Sequence, residues 1–454
     1  MLRKDAKWHP NLSPILWLPT LWIWRCGSRG LASWFHGGSP DSETGLYDPT
    51  FFLICTILGW YFMRRQKINW PAMIRANLWL FIFFGYMAIS VFWSWDVFVS
   101  SKRWVRSFGD LTMALVVATN PGGQLEGIIT VLRRCAYLLI PFSVVLCKYL
   151  PNLGRMHAKH WNADDWIGVT THKNCLGMLC MVVGVWLIWE LWHLRETRAA
   201  MSSREFKFKL AVLVLYGGMT AYLLNGNGGS RSVTSISCLL IGTIAFWQLT
   251  VWFKSSARFW TRVAIVFFAW LIISPGCQLV FGNSLYNLTL HAIGRNPNLT
   301  DRTILWDDCI YIGMEHHPIL GAGYMGFWNP QNLAEIKIRN TNAPEEAHNG
   351  YIEVFLELGF VGVAIFAPVL IVGLLNTWRK MRVHFELGQL CIMMLVMMYI
   401  HNYSESGFPR PTYLTWFGFL LAVINLSPAL MNNQPETAPI SRGKNFQLLP
   451  SPTG

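Results

Sequence analysis

The chain has 454 residues, 53% of them hydrophobic, with 24 Trp and 28 Phe but only 13% charged residues, and a net charge of +13. A soluble domain carries about 25% charged residues. This deficit, with apolar runs along the whole length, excludes a soluble class and points to an integral membrane protein. The cationic excess is loop charge, and the basic, aromatic-interleaved face of a soluble nucleic-acid binder is absent, so no nucleic-acid partner is expected.

Hydropathy predicts an all-α polytopic membrane protein of about twelve transmembrane helices, at 13–24, 48–63, 77–95, 104–119, 135–150, 174–192, 210–224, 232–253, 263–281, 351–377, 387–402 and 412–431. Spans 1–9 occupy 1–281, a long outer loop 282–350 separates spans 9 and 10, and spans 10–12 fill 351–431. Residues 432–454 read as a disordered tail. No small-residue cleavage site follows residues 1–10, so the first span reads as uncleaved. Lys and Arg fall mainly in alternate loops, among them Arg64, Arg65 and Lys67, Arg133 and Arg134, and the run Arg195 to Lys209. The positive-inside rule then puts both termini in the cytoplasm and the long loop outside.

Of the ten Cys, most sit inside apolar runs (Cys55, Cys147, Cys180, Cys238, Cys391) and act as small hydrophobes. Cys277 and Cys309 both fall on the outer side, where pairing is open. No CxxC or Cys/His spacing suggests a metal, and His316 and His317 have no carboxylate or Cys at ligand spacing, so no metal is expected.

Several cations stand near outer span ends, where the orientation bias should have removed them: Lys102, Arg103, Arg106, Lys173, Arg231 and Arg302. Binding an anion is a reason for them, and a lipid pyrophosphate is the multiply charged candidate at that leaflet. Arg231 follows a Gly-rich turn, NGNGGSRS, where backbone amides, a helix N-terminus and a guanidinium can converge on an anion; an ordinary capped turn with a snorkelling Arg explains it equally well. Arg302 alone is more simply a surface ion pair with Asp301 or Asp307.

His348 lies in EEAHNGY at the mouth of span 10, and an imidazole suits proton abstraction from a sugar hydroxyl. Glu345 and Glu346 are placed to orient it, and Asn349 to cap the helix from about Tyr351; the bland alternative is an interfacial His in a helix cap. Glu353 and Glu357, at i, i+4 in an apolar run, should face protein or a wet cavity. His172 with Lys173 in GVTTHKN, Arg103 with Arg106 at i, i+3 in SKRWVR, and Glu405 in SESGFPR complete the outer-side set; each is also an ordinary interfacial anchor.

LTDRTILW, HPILGAGYMGFW and AHNGYIEVFLELGFVG, in this order, resemble the signature region of the O-antigen ligase and Wzy-type polymerase superfamily. GSRGLASWF, FWSWDVFVSSKRW, GVTTHKNCLG and GGSRS are similar to its exopolysaccharide-production members. The likeness covers most of the chain. Asp301 departs from it, standing where the family more often has Gly. The resemblance implies a GT-C-like transferase in a bacterial inner membrane, using no cofactor and no essential metal. Its donor would be a glycan on undecaprenyl pyrophosphate, its acceptor another glycan or lipid A-core. A chain-length regulator or other polysaccharide-export components would be further partners. Arg231 and Arg302 match the family's outer arginines and His348 its loop histidine. On this reading the arginines hold the pyrophosphate, His348 activates the acceptor hydroxyl for inverting attack, and Lys173, Arg103 and Arg106 assist donor binding. A transporter or flippase of lipid-linked sugars is the alternative, but it calls for charges near the bilayer midplane, whereas these cluster at the outer interface.

Overall fold

The computed structural model describes residues 12–36, 47–66, 68–157, 164–226, 232–254, 302–339 and 346–426. Helices occupy eleven of the twelve predicted spans: α1 (Trp17–Cys26), α3 (Tyr47–Arg65), α5 (Leu78–Ser90), α6 (Val97–Ala118), α7 (Gln124–Tyr149), α8 (Lys173–Glu196), α9 (Ser203–Asn225), α10 (Val233–Lys254), α13 (Gly350–Val383), α14 (Phe385–Ser404) and α15 (Leu414–Val423). The predicted ninth span, the tail and Cys277 lie outside the described residues. Shorter helices are α2 (Leu31–His36), α4 (Trp70–Ala76), α11 (Arg302–His316) and α12 (Pro330–Arg339). A two-stranded antiparallel pair, β1 (Arg155–His157) and β2 (Asp164–Trp166), is the one departure from all-α among the described residues.

Among the described residues, fewer helices are long and apolar enough to cross a membrane than the eleven that overlap predicted spans. Among the described residues six helices qualify (α7, α8, α9, α10, α13 and α14), or seven if α4 and α5, bent by 88°, form one broken span. The ten residues of α15 extend about 15 Å, half a hydrocarbon core. Arg133 and Arg134 are not in a loop as the sequence suggested. They are buried within α7, which starts at Gln124 because its first turns are amphipathic and escape a hydropathy window.

The main core is a bundle in which α13 and α14 form an antiparallel hairpin, α10 packs on α14, α8 on α9, and α3 on α6. The predicted long loop is not featureless. α11, α12 and the segment between them build a second small core of Leu305, Cys309, Ile312, Phe327, Ile336 and Leu356, seated on the first turns of α13.

What seats it there is a break in α13. Gly359 has φ +64, outside the helical region, and interrupts the backbone ladder. The 318–322 turn takes up the released groups: Phe360 N donates to Pro318 O (2.9 Å), Val361 N to Ile319 O (3.1 Å), and Ala322 N to Leu356 O (3.0 Å). The hydroxyl of Tyr86 on α5 lies 3.1 Å from Leu358 O. Orphaned backbone groups in a membrane protein must be satisfied in this way or not form at all. The break splits α13 into a short N-terminal piece and a long apolar piece.

Gly359→Ala combines a strained φ with a Cβ that collides with the Ile319 carbonyl. It should destabilise the protein by about 1–3 kcal/mol, read as a lowered thermal unfolding midpoint in detergent. Gly217→Ala on α9, where a Cβ meets nothing within 4 Å, should leave that midpoint unchanged or slightly raised.

Candidate active site

The N-terminal piece of α13 carries the candidate site. Asn349 caps it as predicted, its Oδ1 accepting from Tyr351 N (3.0 Å) and Ile352 N (3.2 Å). One residue earlier His348 sits at φ +51, a left-handed conformation that non-glycine residues seldom take. Its neighbours hold it there. Ala347 N donates to Glu353 Oε1 (2.8 Å), Asn349 N to Ser406 Oγ (3.1 Å), and Trp306 Nε1 on α11 to Ala347 O (2.8 Å).

The side chains form a continuous series of alternating charge. Arg302, the first residue of α11, donates to the Ser404 carbonyl and lies 3.1 Å from Glu405 Oε1. Asn174 Nδ2 at the start of α8 donates to the same oxygen (3.0 Å), and Glu405 Oε2 is 3.5 Å from His348 Nδ1. Glu346 Oε1 approaches that nitrogen at 2.8 Å, and Glu346 Oε2 meets Arg410 at 2.9 Å. Arg410 also reaches Glu353 Oε1 (3.0 Å). Glu353 is fully buried and accepts further from Ser406 Oγ and from Trp328 Nε1 (2.9 Å).

Burial acts against the charged form of His348, but the Glu346 and Glu405 carboxylates outweigh it and raise the imidazole to about 9. Burial would likewise raise Glu346; its contact with His348 and the Arg410 charge win and bring it to about 2. Glu405 is lowered, His348 and Arg302 overcoming its burial, and the buried Arg410 is raised by Glu353, Tyr413 and Glu346 despite burial. The resting ring is therefore an imidazolium at neutral pH.

Of the residues singled out from sequence, Arg302, Glu346, His348, Asn349, Glu353 and Glu405 converge here. Arg231 and Glu345 lie outside the described residues. Lys173 pairs with Asp165 (3.3 Å), one residue from Asn174. Arg103 donates to Met325 O (3.2 Å) in the segment whose Tyr324 hydroxyl is 3.0 Å from Pro409 O, next to Arg410. Arg106 turns to α3, its guanidinium 5.8 Å from the Phe52 ring centroid. Glu357, one turn below Glu353, is fully buried with both carboxylate oxygens lacking a hydrogen bond.

Arg410 and Asn174 are the residues that sequence reasoning missed. Both lay in noticed motifs, SESGFPR and THKN, and the signal was an Arg and an Asn adjoining an outer span end. The rejection of metal at His316 on spacing also needs correction, since Glu335 on α12 folds back to 3.2 Å from His316 Nε2, with Glu315 beside it. Glu346, His348 and Glu405 likewise offer three ligand atoms within 4.8 Å of one another. There, however, Arg302 and Arg410 already engage the carboxylates.

The family model described as "O-Antigen ligase" matches residues 174–367, which hold Asn174, Arg302, Glu346, His348 and Glu353. This match covers less than half of the chain, and over it the chain is similar to the O-antigen ligase family. The chain is also 21% identical to the "Exopolysaccharide production protein ExoQ" of Rhizobium meliloti (strain 1021) over 325 residues. That match covers 67% of this chain and 66% of the relative, so the chain spans just under two thirds of the relative's length. Glu405 and Arg410 fall beyond the family match but complete its charge series in space.

Arg410→Ala strands Glu346 and the buried Glu353, and should cost about 3–5 kcal/mol, seen as a lowered thermal midpoint; Arg410→Lys, which cannot bridge both carboxylates as the guanidinium does, should fall between. The folded-state value of His348 lies above its ordinary 6.5, so the stability its charge contributes is complete below about pH 6.5 and is lost as pH rises through about 9. The midpoint should fall across that window in the wild type, and the fall should shrink in His348→Gln.

Proposed function

We propose that the protein is a metal-independent inverting glycosyltransferase of surface-polysaccharide biosynthesis. It moves a glycan from undecaprenyl pyrophosphate to an acceptor glycan at the outer face of a bacterial inner membrane. The observation that carries the reading is that Arg302 and His348, 46 positions apart in the numbering, share the Glu405 carboxylate. A guanidinium suited to phosphate and a group suited to proton transfer thus stand side by side. A lipid transporter gives no reason for that juxtaposition.

On this reading Arg302, with Arg231, holds the pyrophosphate and stabilises it as it leaves, a task otherwise given to a divalent ion. His348 accepts the proton of the acceptor hydroxyl as that oxygen attacks the anomeric carbon, and the bond to pyrophosphate breaks on the opposite face. Asn174 and Glu405 orient the ring and Arg302; Lys173 and Arg103 add positive field. The relative's printed name favours exopolysaccharide assembly, so a second lipid-linked glycan is the acceptor we favour over lipid A-core.

Transfer from purified undecaprenyl-pyrophosphate glycan to each acceptor is the direct test. His348→Ala should fold and insert but lose about 10²–10⁴-fold in rate, and Arg302→Ala should lose turnover. Wild-type activity should survive EDTA; metal-dependent turnover would mean that the arginines do not suffice. A base with its pKa near 9 is neutral in about one molecule in a hundred at pH 7, so the rate should rise with pH towards 9. A rate that instead falls there would reassign His348 as a cation holding the leaving group.

A further inference from the structure

The opposite end of the bundle holds a second cationic feature that the transfer reaction does not use. α8 starts beside the site, at Lys173, and runs 24 residues, about 36 Å, to Glu196. Its last turns and the first turns of α9 border an open cavity of about 520 Å³ lined by Leu191, Leu194, Arg195, Arg198, Phe206 and Leu210. This is within the roughly 300–1,000 Å³ of ligand pockets. The walls are apolar apart from two arginines at the rim. Arg198 is fixed over the Phe206 ring, its guanidinium carbon 4.9 Å from the centroid.

The surroundings place this cavity at a membrane–water boundary. Trp189, stacked on His193, and Trp192, edge-on to Phe246, form an aromatic band one turn towards the bundle centre. Beyond the rim the chain is polar and exposed, with Arg204 and Lys207 adding positive charge, while Glu205 is paired with Lys209 (3.0 Å). Two guanidinium forks over an apolar floor match a phosphodiester joined to an alkyl chain, since arginine binds phosphate oxygens in pairs. The cavity is too small for a whole two-chain lipid, so it takes the headgroup and the start of one chain.

We propose that this cavity binds the headgroup of an anionic glycerophospholipid in the leaflet opposite the site. Arg195 and Arg198 take the phosphate oxygens, and Leu191, Leu194, Phe206 and Leu210 take the first methylenes. The contact would anchor the α8–α9 hairpin to that leaflet independently of what the other end catalyses.

The test uses the full-length protein in an uncharged detergent with fluorescently labelled phosphatidylglycerol as the probe. Unlabelled phosphatidylglycerol should compete, phosphatidylcholine of the same chains should compete poorly, and inorganic phosphate at equal concentration should not compete. Arg195→Gln and Arg198→Gln, both at exposed positions, should each weaken binding by about fivefold with an unchanged thermal midpoint. Lys207→Gln, exposed nearby but outside the cavity, should bind as wild type. Equal competition by phosphatidylcholine, or wild-type binding by the double arginine variant, would overturn the proposal. Inorganic phosphate competing as well as the lipid would make this a free-phosphate site, and a loss in Lys207→Gln matching that in Arg198→Gln would reduce it to unspecific surface charge.

Discussion

Glu405, Glu346 and Glu353 are buried or half-buried carboxylates, and each is held by at least one cation from a distant part of the chain. The arrangement of the site end follows from that requirement. A carboxylate taken out of water without a partner is costly, so Arg302, His348 and Arg410 cannot be moved independently. The pairs draw together the start of α11, the residues before α13, the end of α14 and the segment leading into α15. Buried ion pairs are poor stabilisers, and well-packed apolar side chains often do as well or better. Six ionisable groups in one cluster of a membrane protein are therefore better explained by what they hold in place than by what they add to stability.

The break at Gly359 serves the same end by other means. A continuous α13 would leave no unsatisfied backbone groups for the 318–322 turn to bond. With the break, the second small core docks on the N-terminal piece of α13 through main-chain hydrogen bonds as well as through Leu305, Phe327 and Leu356. The docked segment then delivers Trp328 to Glu353 and Tyr324 to the Pro409 carbonyl. Backbone hydrogen bonding thus fixes the position of a layer whose side chains complete the charge series.

The sequence showed the class of fold and singled out most of the side chains that converge in the charge series, for identifiable reasons. Apolar runs report burial directly, so a described helix overlaps eleven of the predicted spans, but several ends were missed where a helix runs on past its apolar stretch: α6 and α9 each start seven residues before the predicted span. The largest miss was α7, whose amphipathic start hid Arg133 and Arg134 inside the helix. Glu353 and Glu357 stood out because carboxylates in an apolar run need protein around them, and both are fully buried. Arg410 did not stand out, because its meaning depends on Glu346 and Glu353, which lie about sixty residues earlier and reach it only through folding. The helix α12 was read as loop because its apolar residues face a small core of their own rather than a membrane. Glu335 escaped for the same reason: its approach to His316 depends on how α12 folds back.

The pairing also bears on what the proposed donor must be. Arg302 is not an empty anion site, since Glu405 and the Ser404 carbonyl already occupy its donors. A ligand with one negative charge would only exchange one carboxylate-like partner for another, with little net gain. A pyrophosphate brings more charge and more acceptor oxygens than the carboxylate it displaces, so it can take Arg302 and still leave a favourable balance. Displacement of Glu405 would also remove one of the two carboxylates that keep His348 protonated, while the incoming phosphates supply negative charge of their own. The position of the displaced carboxylate relative to the imidazole therefore decides whether the ring loses its proton when the donor binds. In this way the internal counter-ion links recognition of the leaving group to the state of the base.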